Sequence, residues 1–198
     1  KSQLVLNELV QNLKVSNFIL SDINFRDWMS YTNNLDDASQ SKVSANNIQQ
    51  QIAETRRLVR SSHSNIPPIF SADFEGGLVQ HFRGKGFVSQ TPSPMNFTAT
   101  GDLENIKTFG KLTSQLYKYL GLTTNFVPLV DVTSETSLSV IGTRSFSSDP
   151  MTVVKMASSF AKGMAEAGIT PVLKHWPGLG NTPDKIGNRD TNIDIHEY

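Results

Sequence analysis

Apolar residues change their spacing along the chain, and the change predicts alternating helices and strands. They recur every three or four positions in four segments, which is typical of helices with one buried face: residues 6–13, 48–59, 103–120 and 153–164. Four short apolar runs predict buried strands at residues 17–20, 69–73, 126–131 and 169–173. Because no two-residue hairpin turn joins these runs, the alternation favours a parallel α/β sheet.

Punctuating residues support these boundaries. Gly121 follows the third helical stripe, where a glycine commonly ends a helix. Asp149 and Pro150 precede the fourth stripe and have the chemistry of an N-cap and a first helical residue. Segment 31–47 is rich in polar residues and segment 76–94 in Gly and Pro, so both are predicted to be loop or irregular.

Polar residues gather where the predicted strands end. Asp73 and Glu75 follow the second strand, Asp131 ends the third, and Lys174 and His175 follow the fourth. The carboxyl ends of the strands form the rim on which an α/β barrel builds its active site. The pattern therefore predicts one site made from residues distant in sequence.

The residue types at this rim suit a polar ligand. The two acids Asp73 and Glu75 can accept hydrogen bonds from sugar hydroxyls. Lys174 can donate to a ligand oxygen, and His175 can donate or carry a proton. Arg144, just before a helix N-cap, can grip a carboxylate or a pair of hydroxyls. Each residue also has a structural alternative: a turn or cap for the acid, and an ion pair that holds its loop for Arg144.

Composition excludes several other functions. The 18 Lys and Arg residues balance 18 Asp and Glu residues, which leaves no basic field for nucleic acid or an anionic membrane. No stretch approaches the ~20 apolar residues that a membrane helix requires. The chain has no cysteine, and its four histidines do not fall into a metal-binding spacing, so neither a metal nor another cofactor is predicted.

Four segments, in order along the chain, resemble the signature blocks of family 3 glycoside hydrolases. They are residues 69–83 (IFSADFEGGLVQHFR), 125–132 (NFVPLVDV), 141–150 (IGTRSFSSDP) and 174–180 (KHWPGLG). Within that family they are most similar to the β-N-acetylglucosaminidase branch. The resemblance implies a (β/α)8 barrel that hydrolyses terminal β-linked N-acetylglucosaminides, including peptidoglycan-derived fragments, and so serves peptidoglycan recycling. It also implies a retaining mechanism through a covalent glycosyl-enzyme.

The same resemblance assigns roles to residues. Asp73 corresponds to the acid that binds hydroxyls of the terminal sugar, and Arg144, Lys174 and His175 correspond to further sugar-binding groups. Many family members carry Arg directly after the Gln of the second-strand block. This chain has His81 there, and Arg83, two residues later, is the candidate substrate contact.

The catalytic carboxylates depart from the common pattern. Leu179 replaces the second His of the KHxPGHG block, and no Asp-x-His sequence follows. Asp190 stands nearest the family's acid/base position, with Asp184 as the alternative. No acid in the chain matches the nucleophile block, so the nucleophilic Asp is expected beyond residue 198.

Length then sets the domain prediction. A barrel of this kind takes ~250 residues or more, whereas 198 residues and four strands amount to about half. Residues 1–198 are therefore interpreted as the N-terminal portion of one barrel domain, whose missing C-terminal half is the expected partner. The alternatives are a sugar-binding homologue without hydrolysis and a β-glucosidase of the same family. The absent initial Met and the PGLG loop favour an exported, periplasmic or lipoprotein location over the cytoplasm.

Overall fold

The structure, a computed structural model, describes residues 2–20, 45–62, 67–82, 88–133 and 141–179. Its helices are α1 (Ser2–Asn7), which continues as a π-helical turn at Glu8–Asn12, α2 (Ala45–Ser62), α3 (Pro94–Thr100), α4 (Leu103–Leu120) and α5 (Pro150–Glu166). A 3-10 turn covers Gly142–Arg144. Its strands are β1 (Asn17–Leu20), β2 (Ile69–Ala72), β3 (Phe74–Gly76), β4 (Val79–Gln80), β5 (Thr124–Asn125) and β6 (Thr170–Pro171).

Four of these strands form one parallel sheet in the order β1-β2-β5-β6. Asn17 pairs with Ile69, Ser71 pairs with Thr124, and Thr124 pairs with Thr170. Each main strand lies beside the one that precedes it in the chain, and helices occupy the connections between β2, β5 and β6. The predicted parallel α/β architecture is therefore confirmed, and the four strand ends meet along one edge.

The helices form as their apolar stripes predicted. Asp102 accepts hydrogen bonds from the first turn of α4, Asp149 accepts one from Thr152 N in α5, and Gly121 ends α4 with a φ of 86°. Buried side chains of α2, α4 and α5 join those of the sheet in one core, which includes Ile48, Ile52, Phe70, Ala72, Ile106, Phe109, Tyr117, Met156 and Phe160. This core fixes the helices against the sheet and so fixes the strand ends.

Two loop predictions need correction. Segment 76–94 is not wholly irregular, because β3 and β4 form an antiparallel hairpin around Gly77, which has a φ of 60°. A Cβ at Gly77 would also lie 2.7 Å from the Ser93 side chain, so the turn suits only glycine. In segment 31–47, helix α2 already begins at Ala45, while 31–44 lie outside the described residues.

The third and fourth strands are shorter than predicted. The third was expected at 126–131, but the ladder forms at Thr124–Asn125, and Val127 N turns back to Asn125 O at 2.9 Å. Pro128 has no N–H to donate, so regular pairing cannot run through it. The chain pairs again at Leu129 and Lys174, where Val130 N donates to Lys174 O at 2.7 Å. That isolated bridge brings Asp131 and Lys174 to the same end of the sheet.

The described helices include no candidate membrane span. Among residues 2–20, 45–62, 67–82, 88–133 and 141–179, no helix combines the length and the apolar character that crossing a membrane requires.

Candidate active site

Asp73 lies directly after β2, at the carboxyl end of the sheet. Lys174 Nζ lies 2.5 Å from one of its carboxylate oxygens, and His81 Nε2 lies 3.5 Å from the other. Burial acts to raise the pKa of Asp73, but hydrogen bonds and charge from His81 and Lys174 outweigh it and lower the pKa to about 2. A quarter of the side chain remains exposed, so a permanently ionised acceptor faces solvent at the rim.

Glu75 is the completely buried acid of the same segment. Arg144 holds it with two parallel hydrogen bonds, of 2.8 Å from Nε and 2.9 Å from Nη2, and Lys174 Nζ lies 2.6 Å from Oε1. Burial acts to lower the pKa of Arg144, but its hydrogen bonds and charge interaction with Glu75 raise the pKa overall. Both Glu75 oxygens are thus occupied by cations, and Lys174 bridges Glu75 and Asp73.

Asp131 orients His175. Its Oδ2 lies 2.7 Å from His175 Nδ1 and accepts from His175 N at 3.1 Å, while its Oδ1 accepts from Leu179 N at 2.5 Å. Burial acts to raise the pKa of Asp131, but these donors lower it overall. An ionised carboxylate only accepts hydrogen bonds, so Nδ1 carries the proton and Nε2 is the second functional atom of the ring.

The structure brings together four of the predicted site residues: Asp73, Arg144, Lys174 and His175 form one cluster with Glu75 and Asp131. Arg83, Asp184 and Asp190 lie outside the described residues. The sequence predicted that Glu75 shares the sugar-binding role of Asp73, whereas the structure holds it buried against Arg144 and Lys174. Asp131 was predicted on the rim without a role, and its position after a strand was the signal that marked it. His81 stood out in the sequence only as a departure from the family pattern, and its contact with Asp73 had no sequence signal.

The cluster suits an uncharged polar ligand. Its acids are matched by nearby cations, so an ionic ligand would meet no large excess of either charge. No group of three or more metal-ligating side chains occurs in the part of the chain that the structure describes. Asp73, Glu75 and Asp131 all accept from cations or N–H groups, so none of them is placed to donate a proton. Of the three, Asp73 is the partly exposed one and can accept from a ligand hydroxyl.

Comparison with known proteins identifies the family of this chain. The family model for the glycosyl hydrolase family 3 N-terminal domain matches residues 2–197. The chain belongs to glycosyl hydrolase family 3. A curated relative, the beta-hexosaminidase LpqI of Mycobacterium tuberculosis, is 39% identical over 116 residues, which cover 58% of this chain and 29% of LpqI. The beta-hexosaminidase of Tolumonas auensis is 35% identical over 132 residues, covering 66% of this chain and 38% of the relative.

Solved family 3 structures share the fold. The M. tuberculosis LpqI structure has a TM-score of 0.64 at 30% identity and covers 88% of this chain and 44% of its own. A family 3 glycosyl hydrolase from Mycobacterium smegmatis has a TM-score of 0.66 at 26% identity, with 88% and 46% covered. The chain thus spans less than half the length of these relatives. The predicted fold class is confirmed as a partial, N-terminal portion of the family 3 barrel.

Proposed function

We propose that this chain is the N-terminal portion of one barrel domain that removes terminal β-linked N-acetylglucosamine from oligosaccharides or peptidoglycan-derived fragments. The observation that carries the proposal is the paired Asp73, an ionised and partly exposed acceptor at the strand-end rim of a family 3 chain. The names of the relatives LpqI and T. auensis beta-hexosaminidase support N-acetylhexosaminides as the substrate class.

In this proposal the described cluster binds the terminal sugar. Asp73 accepts hydrogen bonds from two adjacent hydroxyls, while Lys174 donates to the sugar and keeps Asp73 ionised. His175, oriented by Asp131, presents Nε2 to a further hydroxyl. Arg144 holds Glu75 in place, and Glu75 in turn forms the second ionic contact of Lys174. Binding by fixed, directional groups orients the glycosidic bond for attack.

Retaining hydrolysis then needs two further carboxyl groups, one as acid/base and one as nucleophile. We assign the acid/base role to Asp190, with Asp184 as the alternative, and expect the nucleophile from a segment after residue 198. Arg83 remains the proposed additional substrate contact. The described acids do not fill the proton-donor role, because Asp73 has a pKa of about 2 and Glu75 is sealed between two cations.

The direct test uses protein produced from its complete reading frame. We expect release of p-nitrophenol from p-nitrophenyl N-acetyl-β-glucosaminide and much slower release from the corresponding β-glucoside. Asp73→Ala should raise KM strongly. Faster cleavage of the glucoside would favour a β-glucosidase, and sugar binding with no release would favour a non-catalytic homologue. Either result contradicts the proposal.

A second experiment separates the two candidate acids. If Asp190 donates the proton, Asp190→Asn should retain most activity on substrates with excellent leaving groups and lose it on poor ones, since only poor leaving groups need an acid. Asp184→Asn is the matched control and should affect both substrates alike. The reversed pattern would move the acid/base role to Asp184, and equal losses in the Asp190 variant would remove it from that role.

A further inference from the structure

A completely buried amide lies beneath the rim. Asn125, at the end of β5, has no exposed surface. Its Oδ1 accepts from Phe74 N at 3.0 Å, and its Nδ2 donates to Phe74 O at 3.2 Å. Phe74 separates Asp73 from Glu75 in sequence. One side chain therefore holds both polar groups of the backbone that links the two acids.

Tyr117 supports the same segment from helix α4. Its hydroxyl is buried and lies 2.9 Å from Ala72 O and 2.9 Å from Asn125 Oδ1. Burial raises the pKa of Tyr117 well above its usual value, and the Asp73 charge raises it further. The hydroxyl therefore keeps its proton and serves as a donor to Ala72 O and Asn125 Oδ1.

These contacts begin where the sheet ladder stops. The register of β2 and β5 ends at the pair Ala72 and Asn125, and the next residues of the β2 segment turn into the β3–β4 hairpin. The Asn125 side chain replaces the missing ladder across from Phe74 with one donor and one acceptor. Only an amide of this length offers both, because Asp lacks the N–H when ionised and Leu lacks both groups.

The geometry points to a positioning role: Asn125 and Tyr117 form a clamp that holds Asp73 where it binds the substrate sugar and Glu75 where it pairs with Arg144 and Lys174. This inference rests on the proposed function for the identity of the ligand, but the geometry of the clamp does not depend on it. The clamp acts through Asp73 and Glu75, since its contacts are to backbone groups of residues 72 and 74. Asn125 and Tyr117 are distant in sequence from Asp73 and Glu75, and neither of the two side chains is charged.

The first test follows the Asp73 carboxyl by NMR titration and needs no activity. In Tyr117→Phe and Asn125→Ala we expect the midpoint of Asp73 to rise from about 2 toward its usual value, because a looser segment weakens the contact with Lys174. Tyr119→Phe, an exposed position on the same helix, is the control and should leave the midpoint unchanged. If Asn125→Ala does not fold, Tyr117→Phe decides alone, since Ala72 O also accepts from Phe126 N. An unmoved midpoint in folded Tyr117→Phe overturns the clamp.

The second test uses a double-mutant cycle on protein from the complete reading frame. Asn125→Ala should lower kcat/KM by roughly tenfold or more, because the backbone between the two acids loses both hydrogen bonds to the amide. In an Asp73→Ala background the further loss should be much smaller, because the clamp acts largely through that acid. If the losses in kcat/KM of the two single variants simply multiply in the double variant, Asn125 supports the fold and does not act through Asp73. Wild-type protein without any hydrolysis would refute the proposed function, while the NMR titration would still decide the clamp.

Discussion

The strand-end rim and the packing of α4 against α5 are held by opposite kinds of interaction. At the rim, Lys174 bridges Asp73 and Glu75 through contacts of 2.5 and 2.6 Å between charged atoms. Between the helices, a Cβ added to Gly163 would lie 2.1 Å from Lys107 O, which shows how closely the two backbones approach. The rim depends on the direction of polar bonds. The helix pair depends on close packing, with ion pairs from Lys107 and Lys111 to Glu166 at its partly exposed end.

The difference teaches that function and stability are separable in this chain. The Asp73 carboxylate can be replaced by a similar side chain without a void, because it is partly exposed. A methyl group added between α4 and α5 has no space, because the interior is close-packed. We therefore expect rim variants to lose binding while they keep the fold, and helix-pair variants to do the reverse.

The largest effect is expected for Asp73→Asn. The variant keeps the shape but loses the charge that accepts sugar hydroxyls and pairs with Lys174, so kcat/KM should fall by about 100-fold or more, which corresponds to ~2.7 kcal/mol. The melting temperature should fall moderately at neutral pH, because the variant loses the stabilising ionic contact with Lys174, but the protein should still fold. Asp102→Asn, at the exposed cap of α4, is the control and should keep full activity. Equal losses of kcat/KM in Asp73→Asn and Asp102→Asn would contradict a special role of the rim in binding.

Gly163→Ala should produce the opposite result. Its new methyl group would overlap Lys107 O, and overpacking of this kind costs about 1–3 kcal/mol of unfolding free energy. Activity per folded molecule should stay normal. Urea unfolding of the variant beside Ser158→Ala, an exposed position of α5, measures the difference. A variant as stable as Ser158→Ala would show that the helices can separate freely.

The pH dependence of stability should sharpen the contrast. Asp73 has a folded pKa of about 2 against an ordinary value of 3.8, so folding favours its ionised form. Its stabilising contribution is present above pH ~4 and is lost as the pH falls through about 2. Thermal melts of wild type should therefore fall more steeply over that window than melts of Asp73→Asn. If the melting temperatures of wild type and Asp73→Asn change with pH in the same way, Lys174 and His81 do not stabilise the ionised form of Asp73.

The smallest effect is expected at the cap of α5. Asp149 accepts from Thr152 N at 2.8 Å, and Asp149→Ala should lower the unfolding free energy slightly with no kinetic change. Ser148→Ala, its exposed neighbour, should cost nothing measurable. An effect of Asp149→Ala on KM would mean that α5 transmits strain to the rim.

Periodicity predicted the helix pair well, because spacing along one helix directly encodes which face is buried. Strand-end position likewise predicted that Asp73, Lys174 and His175 lie together, because parallel strands end at one edge of their sheet. The third strand was misplaced. Pro128 within the run already counted against a regular strand there, but the apolar pattern could not show that pairing forms earlier, at Thr124–Asn125. The role of Asn125 was equally hidden, since a polar residue at a strand end has no sequence mark that distinguishes support from ligand contact.

The separation of Asp73 and Lys174 by 101 positions has a consequence for folding. Their contact forms only after the long chain segment between them closes, which costs entropy before any ionic attraction is gained. We therefore expect the contact between Asp73 and Lys174 to form late in folding. We also expect it to be among the first contacts to break when the structure opens locally. A sugar bound to both residues would act as a tether between β2 and β6, so ligand should slow hydrogen exchange across the whole sheet.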